Sequence, residues 1–151
     1  MKGNERNFLS SSPGAASDEA PGAAERRRAS ILIVEDEALI ASYIQEVLEE
    51  SGFAVAGIAS SGPEAISLAS TSKPDLALVD IKLAGRMDGI EVALLMRTRF
   101  KVPSIFLSGL CDPDTTARAQ AASPLGFLEK PFRPSQVFNA LERALERMHQ
   151  S

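Results

Sequence analysis

Five short apolar runs, each followed by a stretch with helical spacing, constrain the fold of this chain more than any other feature. The first is ILIV at 31–34, a β-branched run that reads as a buried strand. After it, Leu39, Ile40, Tyr43, Ile44, Val47 and Leu48 fall on one side of a 3.6-residue helix, and Ser51-Gly52 stops it. FAVAGIA at 53–59 predicts the second strand, and GPEAISLAS, with Pro63 near its start, a short helix. DLALVD at 75–80 is the third strand. Asp88-Gly89 opens the third helix, whose apolar content is Ile90, Val92, Leu94, Leu95 and Met96. PSIFL at 103–107 is the fourth strand, followed by an Ala-rich helix capped by Asp112 ahead of Pro113. LGFLE at 125–129 is the fifth. A last helix starts near Pro134 or Ser135 and places Val137, Leu141, Leu145 and Met148 on one face.

Strands that alternate with helices of this length imply a parallel sheet covered on both faces, an α/β doubly wound domain. The pattern occupies residues 30–151 as one domain, and no second domain is expected. Residues 1–29 are a different polymer, rich in Ser, Pro, Gly and Ala, and ending in Arg26, Arg27 and Arg28. A segment this poor in large apolar side chains cannot offset its ordering entropy, so a disordered tail is expected there.

Composition excludes several classes. The net charge of -4 gives no basic field for nucleic acid. No apolar run approaches the ~20 residues of a membrane span, and the N-terminus lacks the apolar stretch of a signal peptide. Cys111 is the single cysteine, so neither an intrachain disulfide nor a cysteine-rich metal site is available. A cytoplasmic protein is expected. No G-x-x-x-x-G-K pattern is present for a P-loop.

The third strand ends on a carboxylate, Asp80, which is expensive to bury and adds nothing to a core. In an open parallel sheet, ligands bind beyond the carboxyl ends of the strands. Glu35, Asp36 and Glu37 follow strand 1 there, Asp80 closes strand 3, Ser108 follows strand 4, and Lys130 follows strand 5. Singly, each has an ordinary role as helix cap, turn residue or surface lysine. Jointly, the acids need a cation between them, and oxygen-only ligands suit Mg²⁺. A carboxylate in that setting acts as a nucleophile toward phosphorus and becomes an aspartyl phosphate. Lys130 supplies positive charge to the phosphoryl oxygens and Ser108 a hydrogen bond.

The motifs ILIVEDE, DLALVDIKL…MDGIEVA, IFLSG and GFLEKPF, in this order and spacing, resemble the receiver domain of two-component response regulators. The resemblance spans about Ser30 to Met148 and is of the single-domain, chemotaxis-Y-like kind. FLSGL partly resembles the Phe-Ala-Thr-Gly-Tyr subgroup, with Leu107 and Leu110 departing from it. The resemblance implies a flavodoxin-like (βα)5 fold with strand order 2-1-3-4-5. It implies that Asp80 accepts phosphate from a histidine kinase or histidine phosphotransfer protein. Asp36 would bind Mg²⁺ directly, Glu35 through water, and Lys82 through its backbone carbonyl. Ser108 would be the switch hydroxyl, Phe127 the aromatic switch, and Lys130 the phosphate-binding lysine before a cis bond to Pro131. A downstream protein would read the face of helix 4, strand 5 and helix 5. A phosphate sink or relay without its own output is the alternative. An aspartate-nucleophile phosphohydrolase would need an acid where Lys82 stands. The Lys82 ammonium itself has three readings: pairing with Glu35 or Glu37, competing with Mg²⁺, or altering water access. Cys111 reads as a small half-buried thiol and His149 as a solvated residue at the last helix end.

Overall fold

A computed structural model describes residues 29–150. The predicted tail and its three arginines lie outside the described residues, except Ala29, which is already buried in the core. The described elements are β1 (Ser30–Val34), α1 (Ala38–Glu50), β2 (Ala54–Ala59), α2 (Gly62–Ser72), β3 (Leu76–Asp80), α3 (Gly89–Phe100), β4 (Ser104–Ser108), α4 (Pro113–Ala121), β5 (Gly126–Glu129) and α5 (Pro134–Gln150). The strands form one parallel sheet in the order β2-β1-β3-β4-β5. Every predicted strand and helix is present, and boundaries move by one residue at most strand ends.

Period-2 alternation divides the strands between two cores. Ile31, Ile33, Leu76, Leu78, Ile105 and Leu107 face one side and pack with α1 and α5. Leu32, Val34, Ala77, Val79 and Phe106 face the other and pack with α2, α3 and α4. Because both faces are covered, the central strands are apolar at nearly every position. All five residues of β3 are buried, Asp80 included.

Local chemistry sets the helix ends. Asp88 and Glu91 form a reciprocal capping box at the start of α3. Asp112 caps α4 by accepting from the Thr115 amide at 2.7 Å, and Ser61 caps α2. At their C-termini, α2 and α3 turn left-handed on Lys73 (φ 48°) and Lys101 (φ 59°).

The apolar stripe read for α1 is only partly buried. Ile44 and Leu48 are fully buried, but Leu39 is 87% exposed and Tyr43 half-exposed. At ~100° per residue, Leu39 sits about 150° around the helix from the centre of the face formed by Ala41, Ile44, Val47 and Leu48, so it points to solvent. In α3, Leu94 is likewise half-exposed.

Register then delivers the rim. Asp80 pairs with Leu107, and Ser108 with Glu129. Backbone bonds continue one step past the strands: Glu35 N–H to Ala59 carbonyl at 2.9 Å, Ile81 N–H to Leu107 carbonyl at 3.1 Å, and Lys130 N–H to Ser108 carbonyl at 2.7 Å. Glu35, Asp80, Ser108 and Lys130 therefore stand side by side at one edge.

Candidate functional site

Asp80 is 5% exposed, and Glu35 1%. One carboxylate oxygen each of Glu35, Asp36 and Asp80 lie within 4.8 Å of one another. Lys130 closes the group: its Nζ stands 3.1 Å from Glu35 Oε1 and 3.3 Å from Asp80 Oδ2. The Lys130-Pro131 bond is cis.

Backbone amides fix the acids. The Lys82 N–H donates to Asp80 Oδ1 at 3.2 Å, Glu37 N–H to Glu35 Oε2 at 3.1 Å, and Ala84 N–H to Asp36 Oδ2 at 3.1 Å. Each carboxylate is thus oriented by a donor in the loop that carries it or a neighbouring one. Gly89 fixes the loop after Asp80. Its N–H donates to the Ile81 carbonyl at 2.9 Å. A Cβ at this position would lie 1.8 Å from the Asp80 carbonyl oxygen, so no other residue fits without moving the strand end.

The charges are unequal. Burial raises the Glu35 carboxyl above its ordinary value, the neighbouring Asp80 charge adds to this, and the Glu37 amide and Lys130 ammonium oppose it. Burial also works against the Lys130 ammonium, but Glu35 and Asp80 outweigh it and hold its pKa above that of an ordinary lysine. Two buried acids share one cation, and Glu35 Oε1 receives no well-aligned hydrogen bond.

Ser108, half-buried, borders a cavity of about 260 Å³ shared with Leu110, Thr116 and Phe127. Phe127 is 43% exposed, and its ring packs tilted on Phe106 with centroids 5.9 Å apart. Cys111 is half-buried, as expected. A second hollow, about 390 Å³ and almost wholly apolar, opens beside Lys130 between Ile40, Tyr43 and Phe132.

The Lys82 ammonium pairs with neither Glu35 nor Glu37. It donates to the Leu110 carbonyl at 2.8 Å, in the loop after β4. Composition and spacing carry no signal for that contact or for the amide donors, because backbone groups are the same at every residue. Gly89 is visible in the sequence as a helix opener, but its close approach to Asp80 requires the fold.

This geometry defines a doubly wound α/β protein with an acidic pocket at the carboxyl edge of its sheet, closed by a lysine. Residues 31–142 match the family model of the response regulator receiver domain, and the chain belongs to that family. Receiver domains are signalling modules of two-component systems rather than enzymes, and phosphorylation and Mg²⁺ are typical of them. The chain is 38% identical over 120 residues to the transcriptional regulatory protein PdtaR of Mycobacterium tuberculosis, across 80% of this chain and 58% of that protein. It is 31% identical to the chemotaxis protein CheY of Thermotoga maritima, across 75% of this chain and 94% of CheY. A solved signal receiver domain of a modulated diguanylate cyclase from Desulfovibrio desulfuricans G20 superposes with a TM-score of 0.77 at 36% identity, covering 80% of this chain and 96% of that one. The chain spans about half the length of several curated relatives that it matches.

The residues present fit Mg²⁺. The donors are all oxygens, three carboxylates converge, and one buried carboxylate oxygen lacks an aligned donor. Among the described residues, no helix is long and apolar enough to cross a membrane.

Proposed function

We propose that this domain accepts a phosphoryl group on Asp80 from a phosphohistidine and changes a protein-binding surface in response. The observation that carries the reading is the placement of a buried aspartate between two acids and a lysine ammonium, at the end of a strand that is otherwise wholly apolar.

Glu35, Asp36 and Asp80, with the Lys82 carbonyl, would hold Mg²⁺, which when bound neutralises the acids and the phosphoryl oxygens. The chain's own residues do the rest. The Lys82 amide keeps Asp80 Oδ1 in place while Oδ2 faces the Lys130 ammonium. Lys130, kept protonated by its acidic neighbours, offsets the charge of the incoming group. Ser108 offers its hydroxyl to a phosphoryl oxygen, which draws the loop after β4 toward the site. That motion frees space in the cavity beside Phe127, so the ring can turn in and alter the surface of α4, β5 and α5. Phosphorylation replaces the single negative charge of the Asp80 carboxylate by about two, carried on a phosphoryl group with three acceptor oxygens, enough to bias such a two-state element. The apolar hollow between Ile40, Tyr43 and Phe132 provides a wall beside Lys130 for the histidine-bearing partner.

The test is Mg²⁺-dependent binding of beryllofluoride, followed by thermal unfolding. Wild type should gain stability from beryllofluoride only in the presence of Mg²⁺, and beyond what Mg²⁺ alone gives. Asp80→Asn should gain none. Equal stabilisation of the two proteins would end the proposal.

A further inference from the structure

Lys82 is the second residue after the proposed acceptor, yet its side chain leaves the acids and crosses to the next loop, where Nζ meets the Leu110 carbonyl at 2.8 Å. Among the described residues this is the one side-chain hydrogen bond that reaches residues 109–111. Apolar packing reaches that segment only at its end, where Cys111 is partly buried against the core. Leu110 is 94% exposed, and a Cβ at Gly109 would meet nothing within 4 Å.

A second bridge joins the same two parts of the molecule. Arg118, in α4, pairs with Asp88 at 3.0 Å. Asp88 is the N-cap of α3 and ends the loop that carries Lys82. The loop after β3 is therefore tied twice to the segment that follows β4, once at residue 110 and once at residue 118. Core packing there comes from two small side chains, Ala119 within α4 and Ala122 at its C-cap.

The location of these ties gives them a consequence, which rests on the reading of Asp80 as phosphoryl acceptor. For the Ser108 hydroxyl to move toward a group on Asp80, the loop must move with it, and Leu110 is only two residues on. A contact made in one arrangement and broken in the other shifts the population between them. We infer that Lys82 and Arg118 form a two-point staple that holds the loop after Ser108 and helix α4 in their unphosphorylated places. Both are positioning residues that set the threshold for switching.

The staple can be read without phosphate, by amide hydrogen exchange on the full chain. Lys82→Met and Arg118→Ala should each speed exchange at the hydrogen-bonded amides of residues 115–122 by about two- to fivefold, the scale of an exposed charge-assisted contact. Titration with beryllofluoride in Mg²⁺ then reads the coupling to switching. Each variant should bind it about two- to fivefold more tightly than wild type, because less is lost in moving the loop. A role in folding alone would lower stability without tightening binding. Unchanged exchange in both variants would overturn the staple. So would faster exchange with equal or weaker binding. If wild type itself fails to bind beryllofluoride, the acceptor reading falls, and the staple's role in switching falls with it. If wild type binds and the variants match it, the staple alone falls.

Discussion

Helices α1 and α4 flank the same rim but are attached by different physics. In α1, Ala41, Ile44, Val47 and Leu48 are buried, and the helix is held by core packing. In α4 and its C-cap the buried residues are the small Ala119 and Ala122, and charged side chains tie the helix and its flanking loops to their neighbours. Arg118 reaches Asp88, and Lys82 holds the entry loop. Arg97 and Arg147 donate to the Ser123 and Leu125 carbonyls beyond the helix end, at 3.5 Å and 2.8 Å. Apolar packing is tight and has no alternative partner close by, whereas polar contacts exchange with water and with one another at small cost. The acid pocket is built on the fixed half of the rim, and the proposed signal leaves through the half that can move.

The largest effect should come from the fixed half. Leu48→Ala should cost about 2–5 kcal/mol in urea unfolding, because a fully buried side chain leaves a cavity. Gly89→Ala should cost about 3 kcal/mol, the upper end for overpacking, since the new methyl meets the Asp80 carbonyl. A loss within error for either one would break the contrast.

A third prediction concerns charge at the fixed half. Burial holds the folded pKa of Glu35 above its ordinary 4.5. Between the unfolded and folded pKa values, the folded protein binds more protons than the unfolded one, so stability falls as pH rises through that window. Glu35→Gln escapes this loss. It should therefore be more stable than wild type at pH 7, with the advantage vanishing below pH 4.5. Added Mg²⁺ should narrow the gap by stabilising wild type. A Gln variant less stable at pH 7 would show the carboxylate to be adequately paired by Lys130.

The smallest effect belongs to α4. Ala119→Gly should cost only about 1 kcal/mol, mainly backbone entropy. A cost near that of Leu48→Ala would mean that α4 is anchored by packing after all.

Much of this was legible in the sequence. Alternation of apolar runs with amphipathic stretches defined ten elements, because strands buried on both faces and helices buried on one leave different periods. Asp80 stood out because a carboxylate closes an otherwise apolar run. Other features required coordinates. Lys73 and Lys101 end their helices left-handed, where glycine is the usual marker, so nothing in the residue types announced those turns. The sequence groups Leu39 with the apolar stripe of α1, but it lies about 150° from the centre of the face that is buried, since the apolar residues of α1 extend round the helix beyond the part the sheet covers. The destination of Lys82 depended on where a carbonyl of another loop comes to lie.

The central claim is that Asp80 is the phosphoryl acceptor. Incubation with Mg²⁺ and acetyl phosphate, followed by electrophoresis on a phosphate-retarding gel, tests it directly. Wild type should give a retarded band that disappears when Mg²⁺ is withheld, and Asp80→Asn should give none. A band of equal intensity in Asp80→Asn, or none in wild type, would contradict the account.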